Sequence, residues 1–265
     1  MSILVTNDDG IDSPGLWALA EAMSRVGDTM IVAPNKEQSG VGTGISLHSG
    51  MSIDEVPSSI PGIPAYAVGG TPSDCVILAI RQLAQGRRFD LLVSGINLGA
   101  NVGRDVLYSG TVMATLQGYF RKIPSIAVSL VLRERREDPS FDVAARVAER
   151  LALGIKAGDI ATGAILNTNV PDVPLEEIKG IVTTRTALSS YVRLSELVGK
   201  GTVSYARGRR ETATHPEGTD IWAISQDLVS ITPLQPEVTD HDSVTDLAAP
   251  MLALQSDLLG KGDRG

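Results

Sequence analysis

The sequence predicts an α/β fold: a mostly parallel sheet flanked by helices, followed by a β-rich extension and a terminal helix. Three observations predict it. Over residues 1–170, short apolar runs alternate with longer stretches of helical periodicity, the pattern of successive βαβ units. Those runs are nearly continuous rather than alternating, as strands covered on both faces require. From Pro171 and Pro174 onward the character shifts to β-prone segments. The organisation expected is therefore an α/β region over 1–170 and a β-rich extension with a C-terminal helix over 171–265.

The strand candidates of the first region are Ser2–Thr6, Thr29–Ala33, Ala65–Val68, Phe89–Ser94, Ser125–Val131 and Ala164–Asn167. Helices fill the gaps. In the first, Ser13 suits the N-cap and Pro14 the first helical position; Leu16, Leu19, Ala20 and Met23 form one apolar stripe, and Gly27 can end the helix. In the next, Thr71 caps, Pro72 follows and Gly86 closes. Beyond residue 171, β-prone stretches fall at Ile178–Thr184, Thr202–Tyr205, Ile221–Ser225 and Leu228–Thr232. An amphipathic helix over Asp242–Leu258 precedes the glycine-rich, charged tail Gly260–Gly265. The runs Arg133–Glu137 and Arg207–Arg210 read as solvated loops.

Composition excludes several classes. With 43% hydrophobic and 20% charged residues in 265, the chain can bury a sizeable core. Twenty-three basic against 31 acidic side chains leave a net charge of −8, which argues against a nucleic-acid partner; a small anion would need a local cation. Cys75 is the only cysteine, so no intramolecular disulfide forms, and a reducing cytoplasm is the expected location. The start, Ile3-Leu4-Val5 running into Thr6-Asn7-Asp8-Asp9, lacks the form of a signal peptide, and no stretch is apolar enough for a membrane helix.

The informative feature is where polar residues fall relative to the strands, because open parallel sheets bind ligands beyond the carboxyl ends of their strands. Asn7-Asp8-Asp9-Gly10 follows the first strand, Ser39-Gly40 lies in the loop after the second, and Gly95-Ile96-Asn97-Leu98-Gly99-Ala100-Asn101 follows the Phe89–Ser94 run. Three connections converge on one rim. Adjacent carboxylates at the end of a buried strand need neutralising, and a hard divalent cation takes oxygen ligands of this kind. Asp8, Asp9, Ser39 and Asn97 are the candidate ligands. The plainer alternative is that one aspartate caps the helix beginning near Pro14 while the other is solvated. Ser109-Gly110-Thr111, after Tyr108, opens a helical stretch at Val112–Phe120, where free backbone N–H groups can hold a phosphate, although simple N-capping also accounts for these residues.

A phosphate between a divalent cation and a helix N-terminus is the arrangement phosphoester hydrolysis uses. Other constellations fare poorly. His48, His215 and His241 lack zinc-site spacing, and Cys75 falls in an apolar stripe with Leu78, Ala79 and Leu83. The glycines of Gly95–Gly103 match neither a P-loop nor a dinucleotide fingerprint.

These motifs resemble the SurE family, the survival protein E group of metal-dependent nucleotidases. The resemblance covers Ile3–Leu16, Ala33-Pro34 with Gln38-Ser39-Gly40, Gly70–Val76, Asp90–Gly103 and Tyr108–Val112, and more weakly Thr219-Asp220 and Val229–Leu234. It implies hydrolysis of nucleoside 5′- or 3′-monophosphates to nucleoside and phosphate, with polyphosphate cleavage left open. It also implies one divalent cation per subunit, Mg²⁺ or Mn²⁺, held by Asp8, Asp9, Ser39 and Asn97, with Asp8 and Asp9 serving catalysis. Phosphate would be bound around Asn97, Ser109, Gly110 and Thr111. The family fold implies a Rossmann-like α/β domain followed by a β-hairpin and C-terminal helix exchanged between subunits in a homodimer or homotetramer. Two departures stand out: Gln117 where the family usually carries glutamate, and Asn35-Lys36-Glu37 in place of an arginine-containing loop.

Two other classes are weighed. A noncatalytic phospho-receiver or nucleotide-sensing module also has an acidic pair after its first strand, but needs a phosphoacceptor aspartate where this chain has Asn97. An aspartyl-phosphate hydrolase of the haloacid-dehalogenase type needs Asp-x-Asp, and here Gly10 occupies the second position.

Overall fold

The computed structural model describes residues 1–48, 50–132, 139–161, 163–190, 192–197, 203–207 and 215–259. The charged run Arg133–Glu137 lies outside them, as do Thr202 and positions 208–210 of the second run. The elements are β1 (Ser2–Thr6), α1 (Pro14–Ser24), β2 (Asp28–Pro34), β3 (Ile53–Val56), β4 (Ala65–Val68) and α2 (Pro72–Leu78), which widens into a π-helical turn at Ala79–Leu83. There follow β5 (Leu91–Leu98), a 3-10 turn (Gly103–Leu107), α3 (Gly110–Tyr119), β6 (Ser125–Val131), α4 (Asp142–Ala157) and β7 (Ile165–Pro171). The remainder forms β8 (Gly180–Thr183), β9 (Val192–Leu197), β10 (Val203–Arg207), α5 (Asp220–Ser225), β11 (Leu228–Leu234) and α6 (His241–Leu259).

Nine strands form one sheet in the order β3-β4-β2-β1-β5-β6-β7-β11-β8. The block β4-β2-β1-β5-β6-β7 is parallel throughout, while β3 and β11 join their neighbours β4 and β7 antiparallel. The fold is α/β, as expected. From β1 the chain winds outward to β2 and β4, then returns to β5 and winds the other way, so the strand order reverses between β1 and β5. Ligands of open α/β sheets bind at such a switch point.

Both faces of the sheet are covered, which explains the continuous apolar runs. Ile3 and Val5 of β1 cluster with Leu16, Leu19, Ala20 and Met23 of α1 and with Ala144, Ala148 and Leu151 of α4; Leu4, between them, joins Cys75, Val76 and Leu78 of α2 and Ala114 of α3. Successive residues of a strand point to opposite faces, so one short strand anchors two layers. Each large side chain buried this way stabilises by about 1.5–3 kcal/mol. Capping begins α2: the Thr71 hydroxyl accepts from the Asp74 N–H at 3.2 Å, and Asp74 Oδ2 accepts from the Thr71 N–H at 2.9 Å. The Asp74 carboxylate also takes the Ser46 N–H and hydroxyl, tying down the loop after β2.

Local chemistry overrides strand propensity at Ile221–Ser225. The β-prone composition there suggests a strand, but Thr219 accepts the Trp222 N–H at 3.3 Å and Asp220 occupies the first turn, so the segment forms α5. The Phe89–Ser94 run likewise continues to Leu98, with a register shift between Ser94 and Asn97 against β6. Asn97 thus sits within the end of β5 rather than in a following loop. Pro171, where composition changes, is the last residue of β7, and β8 and β11 extend the same sheet.

Compactness divides the chain into Met1–Leu234 and Gln235–Gly265. In the second unit α6 runs for 19 residues with Pro250 inside it and buries no side chain. Among the described residues, no helix is long and apolar enough to cross a membrane.

Candidate functional site

The rim is built from three strand ends. At the end of β1, the Asn7 side chain donates to the Gly10 carbonyl at 2.9 Å and accepts the Gly10 N–H at 3.2 Å, a closed turn that fixes the intervening Asp8 and Asp9. Asp8 is buried and Asp9 half-buried. The loop after β2 is laid against this turn: the Gln38 N–H donates to the Asp8 carbonyl at 2.7 Å, and the Ile11 N–H to the Pro34 carbonyl at 2.8 Å. Ser39, next to Gln38, is exposed, and its hydroxyl donates to Glu37 Oε1 at 2.7 Å. The backbone of Ser39's loop is thus bonded to Asp8, while its hydroxyl hydrogen is held by an acidic neighbour that the sequence did not single out.

From the end of β5, Asn97 is buried, and its side-chain amide nitrogen donates to the Gly99 carbonyl at 2.6 Å. That bond sets the amide orientation and leaves Oδ1 as the donor atom for a ligand.

The N-terminus of α3 completes the rim. Ser109 caps it, its hydroxyl accepting the Val112 N–H at 3.1 Å. The Thr111 hydroxyl is fully buried and donates to Asp8 Oδ1, a contact no local sequence pattern reveals. Gly110 makes the approach possible: a Cβ there would stand 2.8 Å from the Asp8 Cβ and 3.0 Å from Asp8 Oδ2. Among the described residues, no acceptor takes the Gly110 or Thr111 N–H. Both hydroxyls of Ser109-Gly110-Thr111 are thus engaged within the protein, and what the helix end offers a ligand is backbone N–H groups and the positive end of its dipole.

Asp8 and Thr111 are therefore in contact, and Ser39's loop is bonded to Asp8. The binding atoms available are carboxylate, hydroxyl and amide oxygens beside a helix N-terminus. Among the described residues, no three His, Cys, Asp or Glu side chains gather to hold a metal ion. A cation on this rim would complete its shell with hydroxyl, amide and water oxygens, a donor set that fits a hard ion such as Mg²⁺ or Mn²⁺ and does not suit zinc.

Sequence reading also passed over a buried polar group beside the rim. The Asn101 carbonyl accepts from the side-chain amides of Asn167 and Asn169 at 2.8 and 3.0 Å, and Asn101 Nδ2 donates to Ser129 Oγ at 2.9 Å. The available signal was Asn-Thr-Asn on β7, polar residues at alternate positions in an otherwise buried strand.

Fold and rim together define a doubly wound α/β protein with a polar rim of carboxylate, amide and helix N-terminal groups at the strand switch point. The chain belongs to the Survival protein SurE family, whose model matches residues 3–193. It is 43% identical over 253 residues to a protein named 5′-nucleotidase SurE from Dehalococcoides mccartyi (strain CBDB1), covering 92% of this chain and 95% of that one. It is also 43% identical over 267 residues to 5′-nucleotidase SurE from Moorella thermoacetica, covering 100% of both. The crystal structure of SurE protein from Aquifex aeolicus superposes with a TM-score of 0.80 at 33% identity, covering 96% of this chain and 100% of that one.

Proposed function

We propose that this chain is a divalent-metal-dependent nucleotidase that hydrolyses nucleoside 5′-monophosphates to nucleoside and phosphate at the carboxyl rim of its sheet. The observation that carries the reading is the contact of the α3 N-terminus with Asp8, which sets a candidate cation ligand beside unused N–H donors. Relatives of the same length carry the name 5′-nucleotidase, which supports this substrate class.

Asp8, Asp9, Ser39 and Asn97 would hold one Mg²⁺ or Mn²⁺. When bound, the ion polarises the phosphoryl oxygens and lowers the pKa of water beside it. The chain's own groups do the rest. The Gly110 and Thr111 N–H groups receive the phosphoryl oxygens and stabilise the charge that develops on them. The Thr111 hydroxyl holds one oxygen of Asp8, and the bond from Asn97 Nδ2 to the Gly99 carbonyl orients the Asn97 amide. Asp8 or Asp9 would take the proton of the attacking water. Nucleoside 3′-monophosphates and short polyphosphates present the same terminal phosphoryl group and are proposed as further substrates.

We further propose a cytoplasmic protein that works as a homodimer or homotetramer, with the β9–β10 hairpin and α6 as the exchanged parts. On α6, Val244, Leu247, Met251, Leu254 and Leu258 recur at spacings of three and four and are all exposed, a row that another helix can cover.

Phosphate release from AMP, GMP, 3′-AMP and tripolyphosphate with Mg²⁺ or Mn²⁺ tests the reading. Release that stops with EDTA and returns with Mn²⁺ is the expected result. Undiminished release in EDTA would remove the cation from the mechanism.

A further inference from the structure

Asp220 lies outside the rim, yet its carboxylate is fully buried and joins three separate segments. Oδ2 accepts the Gly103 N–H at 2.8 Å; Oδ1 accepts the Ala187 N–H at 2.9 Å and the Ile221 N–H at 2.8 Å. Gly103 begins the 3-10 turn that runs directly into Ser109-Gly110-Thr111. Ala187 belongs to the stretch that leads from β8 towards β9.

The two stretches are stitched at further points. The Arg104 N–H donates to the Ser189 carbonyl at 3.0 Å, and the Ser190 hydroxyl donates to Asp105 Oδ1. A Cβ at Gly103, where φ is +57°, would stand 2.2 Å from the Ser189 carbonyl oxygen, so only glycine permits this approach. Val102, Val131, Ala187, Ile221 and Ile224, chain neighbours of these hydrogen-bonded groups among them, form one buried apolar cluster. From the opposite side, Asn169 Oδ1 accepts the Asn101 N–H at 2.8 Å. Residues 101–105 are therefore pinned between β7 and Asp220.

A buried carboxylate is an expensive way to stabilise a fold. Burial raises its pKa, against the pull of the three N–H donors, and well-packed apolar residues generally do as well or better at holding a core together. Its distinctive contribution is geometric, since one rigid group fixes three backbones at once. We propose that Asp220 is a positioning residue for the phosphate site: it fixes the 103–107 turn, and through it the N–H groups of Gly110 and Thr111. This deepens the nucleotidase reading and rests on it, assigning to the segment before the β9–β10 hairpin control over how tightly a phosphate monoester is held.

The test compares the full-length protein with Asp220→Asn and Ser190→Ala. Four quantities are measured: KM and kcat for AMP with Mn²⁺, the inhibition constant of inorganic phosphate, Mn²⁺ affinity by electron paramagnetic resonance, and backbone amide exchange. For Asp220→Asn, KM and the phosphate inhibition constant are expected to rise about tenfold. Mn²⁺ affinity should change less than phosphate inhibition, because the turn that carries Asp8 stays held by Asn7, Gly10 and Gln38 and only its Thr111 contact loosens, and faster exchange should be confined to residues 101–111 and 185–190. Ser190→Ala, a milder cut in the same clamp, should shift phosphate inhibition in the same direction and carries the test if Asp220→Asn does not fold. Unchanged phosphate inhibition in the folded variants overturns the proposal, and so does a parallel loss of Mn²⁺ affinity with protection lost across the sheet. A wild-type protein that releases no phosphate from AMP with any cation overturns the nucleotidase reading instead, and amide exchange then still decides whether Asp220 holds the turn.

Discussion

The rim of the sheet and helix α6 break the usual distribution of side chains in opposite senses. On the rim and just behind it Asp8, Asn97, Thr111 and Asp220 are polar and buried; along α6 Val244, Leu247, Met251, Leu254 and Leu258 are apolar and exposed. Buried polar groups persist where partners are built in or a ligand supplies them. A row of exposed leucines persists where a second protein surface covers it. The same physics therefore marks two candidate sites: a small, charged one in Met1–Leu234, and an extended apolar one in the unit that follows.

The largest effect that could break this comparison comes from the acidic pair. Asp9→Asn keeps the shape of the side chain and removes its charge, and phosphate release from AMP is expected to fall about a hundredfold or more, because the proposed mechanism makes Asp9 a charged cation ligand and such a ligand contributes several kcal/mol. Steady-state phosphate release with saturating Mn²⁺ measures it. Full activity in a folded Asp9→Asn protein would make the buried rim a structural feature only.

Gly110→Ala is next. The added methyl would meet Asp8 at 2.8 Å, and the neighbour is a short side chain with little room to give. A displacement of about 1 Å at a reacting centre costs up to about a hundredfold in rate, so a ten- to hundredfold loss is expected. Thermal unfolding of the variant, run alongside, should show a shift too small to account for it.

On α6, Leu247→Asp with Leu254→Asp places two charges in the apolar row and should dissociate the assembly, with a loss of about 2 kcal/mol or more per anchor. Light scattering after gel filtration reads the mass. A wild-type protein that is monomeric at all concentrations would contradict the reading of this row, and an assembly that survives both substitutions would move the interface elsewhere.

How legible these features were follows from their range along the chain. The strands of the parallel block, the Thr71 cap and the span of α6 rest on local periodicity and capping, which a sequence displays directly. The strand end at Asn97 was less visible, because a register shift carries β5 past a glycine that reads as a loop signal. Ile221–Ser225 was misread as strand because β-branched composition is a weak signal beside a threonine cap and an aspartate in the first turn. The site's acidic pair and helix end were legible as motifs; their mutual arrangement was not. Thr111 reaches Asp8 across 103 residues and Asp220 reaches Gly103 across 117, and such pairings are fixed by topology rather than by any local pattern.

The smallest predicted effect is a control for the comparison. Cys75 is as buried as the rim residues, but it lies in the α2 side of the core, in one apolar cluster with Leu4, Val32 and Val76. Burial, reinforced by the negative charge of Asp74, pushes its thiol well above the ordinary range. The folded state thus holds the thiol proton more tightly than the unfolded chain. Its contribution to stability is full below the unfolded value of about 8.5 and is lost as pH rises through the higher native value. Cys75→Ala should therefore cost about 1 kcal/mol near pH 7, from one lost buried group, and less at pH 10. Urea unfolding midpoints at the two pH values measure it, and a thiol reagent should label the native protein only as fast as it opens. Rapid labelling without unfolding would mean that this face of the sheet is accessible, and the separation between the wet rim and the dry core would fail at Cys75.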